Sequence, residues 1–74
     1  MIHECDARFL LCPLPVLKAQ KRLSRMVSGE HLKIQGTSDG GIDEFKLFCS
    51  ECDVATFISG TEDNEVWTVV VEKV

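Results

Sequence analysis

Cys12-Pro13-Leu14-Pro15-Val16-Leu17-Lys18 places a thiol immediately before what reads as the first turn of an amphipathic helix. Proline lacks an amide hydrogen and fixes φ, so it suits a first helical turn and breaks a later one. Pro13 also biases Cys12 toward the extended backbone that a helix-capping residue uses. A sulfur there faces the unpaired N–H groups and the positive end of the helix dipole, which favours the reactive thiolate. Pro13 and Pro15 donate nothing, so the nearby amides left to meet a sulfur anion are those of Leu14 and Val16. The motif reads as a stiff mount with few donors, suited to an anion that is passed on rather than held. The same residues are equally compatible with a proline-started helix preceded by a small buried side chain.

Outward from this stretch, the spacing predicts a helix from Pro13 to about Ser28. Val16, Ala19, Leu23 and Met26 or Val27 recur at helical intervals, and Gly29 stands where a C-cap glycine belongs. Lys18, Lys21, Arg22 and Arg25 share the other face. Upstream, residues 2–6 read as an edge strand. Downstream, His31 to Gln35 alternates polar and apolar side chains, as a half-buried strand does. Residues 37–41 form a turn, and a second helix runs from about Gly41 to Cys52 with Ile42, Phe45, Phe48, Cys49 and Cys52 on one face. Val54 to Ser59 is a strand, Gly60 to Asn64 a loop, and Val66 to Val71 the strongest strand. The order βαβαββ predicts an α/β (α+β) two-layer sandwich, with two helices on one face of a four-stranded mixed sheet.

The chain has 74 residues, enough for a single domain spanning 1–74 with one modest core. It is 45% hydrophobic and 27% charged, which excludes a disordered chain. Its net charge of −4 conceals an asymmetry. Residues 1–29 carry five basic and two acidic side chains, whereas residues 30–74 carry three basic and ten acidic ones. That balance argues against direct nucleic-acid binding while leaving a local basic patch. The N-terminal residues lack the pattern of a signal peptide, and no apolar stretch approaches the roughly 20 residues of a membrane span. A cytoplasmic protein with reduced cysteines is expected.

The motif and element order together resemble the small TusA-like (SirA-like) sulfur-carrier family, over nearly the whole chain. The resemblance rests on Asp6, on Cys12 to Lys18, on Gly29, on Thr37 and Gly40, on Phe48-Cys49 and on the β-rich C-terminal segment. It implies a persulfide relay, a sulfurtransferase in which Cys12 accepts sulfane sulfur and hands it on. The upstream partner would be a cysteine desulfurase or rhodanese-like protein. The downstream partner would belong to tRNA thiolation, molybdenum-cofactor synthesis or sulfur-compound metabolism. No cofactor or metal is needed for that step. The chain departs from the family pattern at Phe9, usually glycine, at Leu14, often charged, and at Ser38-Asp39, usually Asp-Pro. The first two changes make the rim more apolar and bear on which partner is recognised.

Around Cys12, the residues expected to shape or activate the site are Pro13, Leu14, Pro15, Val16, Arg8 and Lys18. Phe9, Lys21, Arg22 and Arg25 are candidates for docking a partner, against the plainer reading of a solvated helix face. Cys49 and Cys52 form a C-x-x-C near the end of the second helix, where small packed thiols are expected. Cys5 is expected in the core. One C-x-x-C without a matching ligand pair does not make a zinc site. Two other readings stay open: a non-catalytic regulatory or interaction module, and a thiol redox protein pairing Cys12 with Cys49 or Cys52. A monomer or weak homodimer is expected.

Overall fold

The computed structural model describes residues 2–11 and 14–74. The elements are β1 (Ile2–Ala7), α1 (Leu14–Leu23), β2 (His31–Gly36), α2 (Gly41–Glu51), β3 (Ala55–Asp63) and β4 (Val66–Lys73). They follow the expected βαβαββ order. The sheet order is β1-β2-β4-β3. β1 runs parallel to β2, while β4 is antiparallel to both β2 and β3. The result is a mixed sheet with β1 and β3 at its edges.

Alternation decides which face meets the helices. Cys5 and Ala7 of β1, Leu32 and Ile34 of β2, and Trp67, Val69 and Val71 of β4 are buried. Ala19, Leu23 and Met26 from the first helical segment and Phe45 from α2 close over them. Phe45 leans on Trp67 with ring centroids 5.6 Å apart, within the range of favourable aromatic pairing. Between them, β4 carries Thr68, Val70 and Glu72 on the opposite face, opposite Gln35, Lys33 and His31 of β2. That face is mostly polar. Val66 and Val70 are half-buried among these neighbours.

The ends of α1 and of β3 differ from expectation. α1 ends at Leu23, not near Ser28. Arg25 and Met26 bond back to Arg22 and Leu23, which tightens the chain out of the α-helix. Glu30 then accepts the Val27 amide at 2.9 Å, and Gly29, at φ 91°, donates to the Lys73 carbonyl. Gly29 therefore joins the turn to the end of β4 rather than capping the helix directly, and Val27 is exposed. β3 continues to Asp63 through the segment expected as a loop. Asn64 and Glu65 have φ of 52° and 66°, so a two-residue hairpin turn suffices and pairing runs up to it. A register shift between Phe57 and Ser59 leaves Ile58 exposed in a bulge. His3 and His31 are half-buried, each facing a glutamate (Glu30 at 3.0 Å, Glu72 at 3.8 Å).

Candidate functional site

β1 and α1 are joined by a short segment that is held from several sides. Asp6, the penultimate residue of β1, grips Arg8. Its carboxylate accepts bonds from the Arg8 amide at 3.1 Å and from the guanidinium Nε and Nη2, both at 3.0 Å. These bonds from Arg8 hold the Asp6 carboxyl down to about 2. Phe9 follows with φ 68°, a left-handed backbone that favours glycine. Its amide donates to Thr37 Oγ1 at 2.9 Å. Leu10 bonds back to Ala7 at 3.3 Å and packs against the core. The loop is thus held on both sides, by Asp6 through Arg8 and by Thr37 through Phe9.

Thr37 is itself placed by the core. Gly36 and Gly41 lie so close to the indole of Trp67 that an added Cβ on either would come within 2.2 Å of the ring. Trp67 Nε1 donates to the Ser38 carbonyl at 2.8 Å. The loop between β2 and α2 is therefore pinned on Trp67 at both ends and in the middle. Thr37 passes that order on to Phe9. The sequence contained each of these residues, but not the contacts that link them, which span up to 29 positions.

Cys12 and Pro13, the centre of the expected site, lie outside the described residues. What flanks them is defined. The Leu14 amide donates to the Leu11 carbonyl at 2.8 Å. One of the two amides counted as available to a sulfur is therefore already engaged. Pro15 is buried and anchors the first turn of α1, with Val16 half-buried beside the core. That turn contains no acidic residue, so nothing in it opposes the positive end of the helix dipole.

Several large apolar side chains on either side of the motif are exposed. Phe9 is 85% exposed and Leu14 48%, and Leu11 and Leu17 join them at 74% and 53%. Leu17 follows Leu14 by three positions and falls off the Val16–Ala19–Leu23 face, a signal that spacing alone could have supplied. Arg8 and Lys18 are both engaged by Asp6: Arg8 through the carboxylate, Lys18 by donating to the Asp6 carbonyl. Neither is a wholly free cation for the motif. Lys21, Arg22 and Arg25 are exposed, and with Glu4, Cys5, Asp6 and Lys18 they line a groove of about 310 Å³ between α1 and β1.

The other thiols are placed differently. Cys5 is buried, and burial pushes its thiol up against the opposing pull of Lys18 and Arg22. Cys49 and Cys52 are half-buried at the C-terminal end of α2, the opposite end from the loop that Thr37 holds. Burial raises the Cys49 thiol, and the neighbouring Cys52 adds to it. Both effects work against a thiolate. Among the described residues, no cluster of His, Cys, Asp and Glu side chains has the form of a metal site. No helix among them is long and apolar enough to cross a membrane.

A family model described as sulfurtransferase TusA matches residues 3–73. The chain belongs to the TusA family. A protein of Neisseria meningitidis serogroup A, provisionally named a sulfur carrier, is 34% identical over 90% of this chain and 89% of its own length. The sulfur carrier protein TusA of Allochromatium vinosum is 42% identical over 66% of this chain and 64% of its own. A Methanocaldococcus jannaschii protein, also provisionally named a sulfur carrier, is 30% identical over 97% of the chain. This TusA-family chain thus belongs among small sulfur carriers. The left-handed backbone at Phe9 also gives a physical reason for the glycine that the family pattern usually has there.

Proposed function

We propose that this chain, acting as one domain, relays sulfane sulfur as a persulfide on Cys12. The Cys12 thiolate attacks the outer sulfur of a donor protein's persulfide. The donor's S–S bond breaks, a new S–S bond forms on Cys12, and the donor leaves as a thiolate. The same exchange in the reverse sense then delivers the sulfur to a protein acceptor. Electrons balance without an external oxidant, and no metal or organic cofactor enters the step.

The observation that carries this reading is the frame around the motif. A loop fixed by Asp6, Arg8 and Thr37 leads in, and a helix whose first turn lacks acidic residues leads out. Family membership supports the same chemistry. Pro13, Leu14, Pro15 and Val16 shape the mount. Phe9, Leu11, Leu14 and Leu17 form a rim against which a donor packs, and the α1 cations orient it through long-range attraction. The partner classes are a cysteine desulfurase or rhodanese-like donor and a protein acceptor, which suits a cytoplasmic setting.

The test is a mass measurement without reductant after incubation with a cysteine desulfurase and cysteine, or with a rhodanese and thiosulfate. Wild type gains one sulfur atom and Cys12→Ser gains none. Equal gain by Cys12→Ser overturns the relay. A loss of two hydrogens on mild oxidation, abolished in Cys49→Ser or Cys52→Ser, assigns the chain to thiol redox chemistry instead. No change in either assay leaves an interaction module.

A further inference from the structure

Among the described residues, β1 is an edge strand whose only neighbour is β2. Its six residues pair in register with β2 without a bulge. The other edge, β3, is interrupted at Ile58 and ends in exposed Glu62 and Asp63. Such interruptions and charges block strand addition. β1 is therefore the regular open edge of this sheet.

The direction of its free backbone groups can be read from one contact. Lys18 Nζ, on α1, donates to the Asp6 carbonyl. Carbonyls that serve the ladder face the neighbouring strand, so one engaged by a helix side chain instead is assigned to the open side of β1. Backbone groups alternate in direction along a strand, so the N–H and carbonyl of Glu4 and the N–H of Asp6 point outward as well. Beside them runs the groove lined by Glu4, Cys5, Asp6, Lys18, Lys21, Arg22 and Arg25. Among the described residues, no carboxylate lies within ion-pair distance of Lys21, Arg22 or Arg25.

We infer that this groove receives an extended acidic segment of a partner protein, which adds to the sheet as a strand alongside β1. Its backbone would pair with Glu4 and Asp6. Side chains on the helix side of the added strand would meet Lys21, Arg22 and Arg25, so acidic residues fit there. Side chains on the other face would lie beside Ile2, Glu4 and Asp6, where a further carboxylate is repelled and an apolar residue is favoured. The groove therefore selects an alternating acidic and apolar pattern. A second copy of this chain does not meet that requirement. Pairing β1 with β1 sets two basic helices side by side, and the acidic edge of β3 is broken by its bulge. The partner's role as sulfur donor or acceptor rests on the relay reading, whereas the groove does not depend on it.

The probe is a fluorescein-labelled peptide of alternating glutamate and valine, followed by anisotropy at low salt on reduced protein with no sulfur donor present. Saturable binding is expected, weakened about tenfold or more by Arg22→Glu with Arg25→Glu, and weakened again as salt screens the charges. A peptide methylated on alternate backbone nitrogens should lose binding, because it cannot complete the strand ladder. Slower hydrogen exchange of the Glu4 amide in the complex reports the ladder directly. The exposed arginine positions leave folding intact, which circular dichroism checks. Equal binding of the methylated peptide, an unchanged Glu4 exchange rate, or an alternating lysine–valine peptide binding as well would overturn the inference. Absence of binding by the glutamate–valine peptide overturns it too, whatever the result of the mass assay.

Discussion

Replacing Phe9 separately by glycine and by alanine isolates the strain in the loop from the function of the ring. Both substitutions remove a side chain that is 85% exposed, so the small loss of apolar burial is common to the two. They differ at the backbone. At φ 68°, a residue with a Cβ sits about 1–2 kcal/mol above glycine. Glycine loses about 0.4–1 kcal/mol of that advantage through the greater freedom of its unfolded chain. Taking the middle of each range, Phe9→Gly should be more stable than Phe9→Ala by about 0.8 kcal/mol. For a domain of this size that corresponds to a gap in Tm of roughly 3–6 °C. Thermal and urea melts followed by Trp67, the single tryptophan, provide the measurement. An alanine variant as stable as the glycine variant, or more so, would refute the left-handed backbone at this position. Sulfur transfer gives the second readout. Both variants should lose transfer rate by the same factor if the ring packs on the donor. Wild-type rates in Phe9→Gly would remove Phe9 from the docking rim.

Gly41→Ala should destabilise the fold by about 1–3 kcal/mol despite alanine's better helix propensity, because its Cβ meets the indole of Trp67. A red shift in tryptophan emission would report the displaced ring, and a raised Tm would contradict the packing. Thr37→Val keeps the shape and removes the acceptor of the Phe9 amide, for a loss of about 1 kcal/mol. Faster hydrogen exchange at the Phe9 amide, with a slower transfer rate, is expected; unchanged exchange would mean that Thr37 does not hold the loop. Asp6 should titrate near 2, and Arg8→Gln should return it toward its ordinary 3.8, as read by carboxyl chemical shifts. Its folded value is depressed, so the stability it contributes is complete above the unfolded value. That stability is lost as pH falls from about 4 through 2. An Asp6 midpoint that does not move in Arg8→Gln would exclude the ion pair in solution.

The parts of this fold that were legible in the sequence are those encoded by local period. Ala19 and Leu23, Leu32 and Ile34, and Trp67, Val69 and Val71 all lie where their spacing put them. The errors fall where a distant residue decides. Beyond Leu23, Arg25 and Met26 tighten onto Arg22 and Leu23, and Glu30 and Lys73, neither part of a helical pattern, hold the amides of Val27 and Gly29. β3 runs through Gly60, Thr61 and Glu62, residues that read as a loop, because β4 supplies a partner for each. Around the site, the apolar character of Phe9 and Leu14 was visible as a departure from the family pattern. That Lys18 is tied to the Asp6 carbonyl, and that Thr37 holds Phe9, depends on contacts across 12 and 28 positions. No local pattern carries such information.

The position of Trp67 has a consequence for how the protein is made. β4 is last in the chain yet central in the sheet, between β2 and β3. The ring it carries is what Gly36 and Gly41 rest on. As the chain leaves the ribosome, the segment bearing Cys12 emerges early, but its frame must wait for the final strand to insert. A chain halted before residue 67 lacks the indole on which the loop between β2 and α2 is pinned. Order in the loops that flank the motif therefore arrives only once β4 has inserted between β2 and β3.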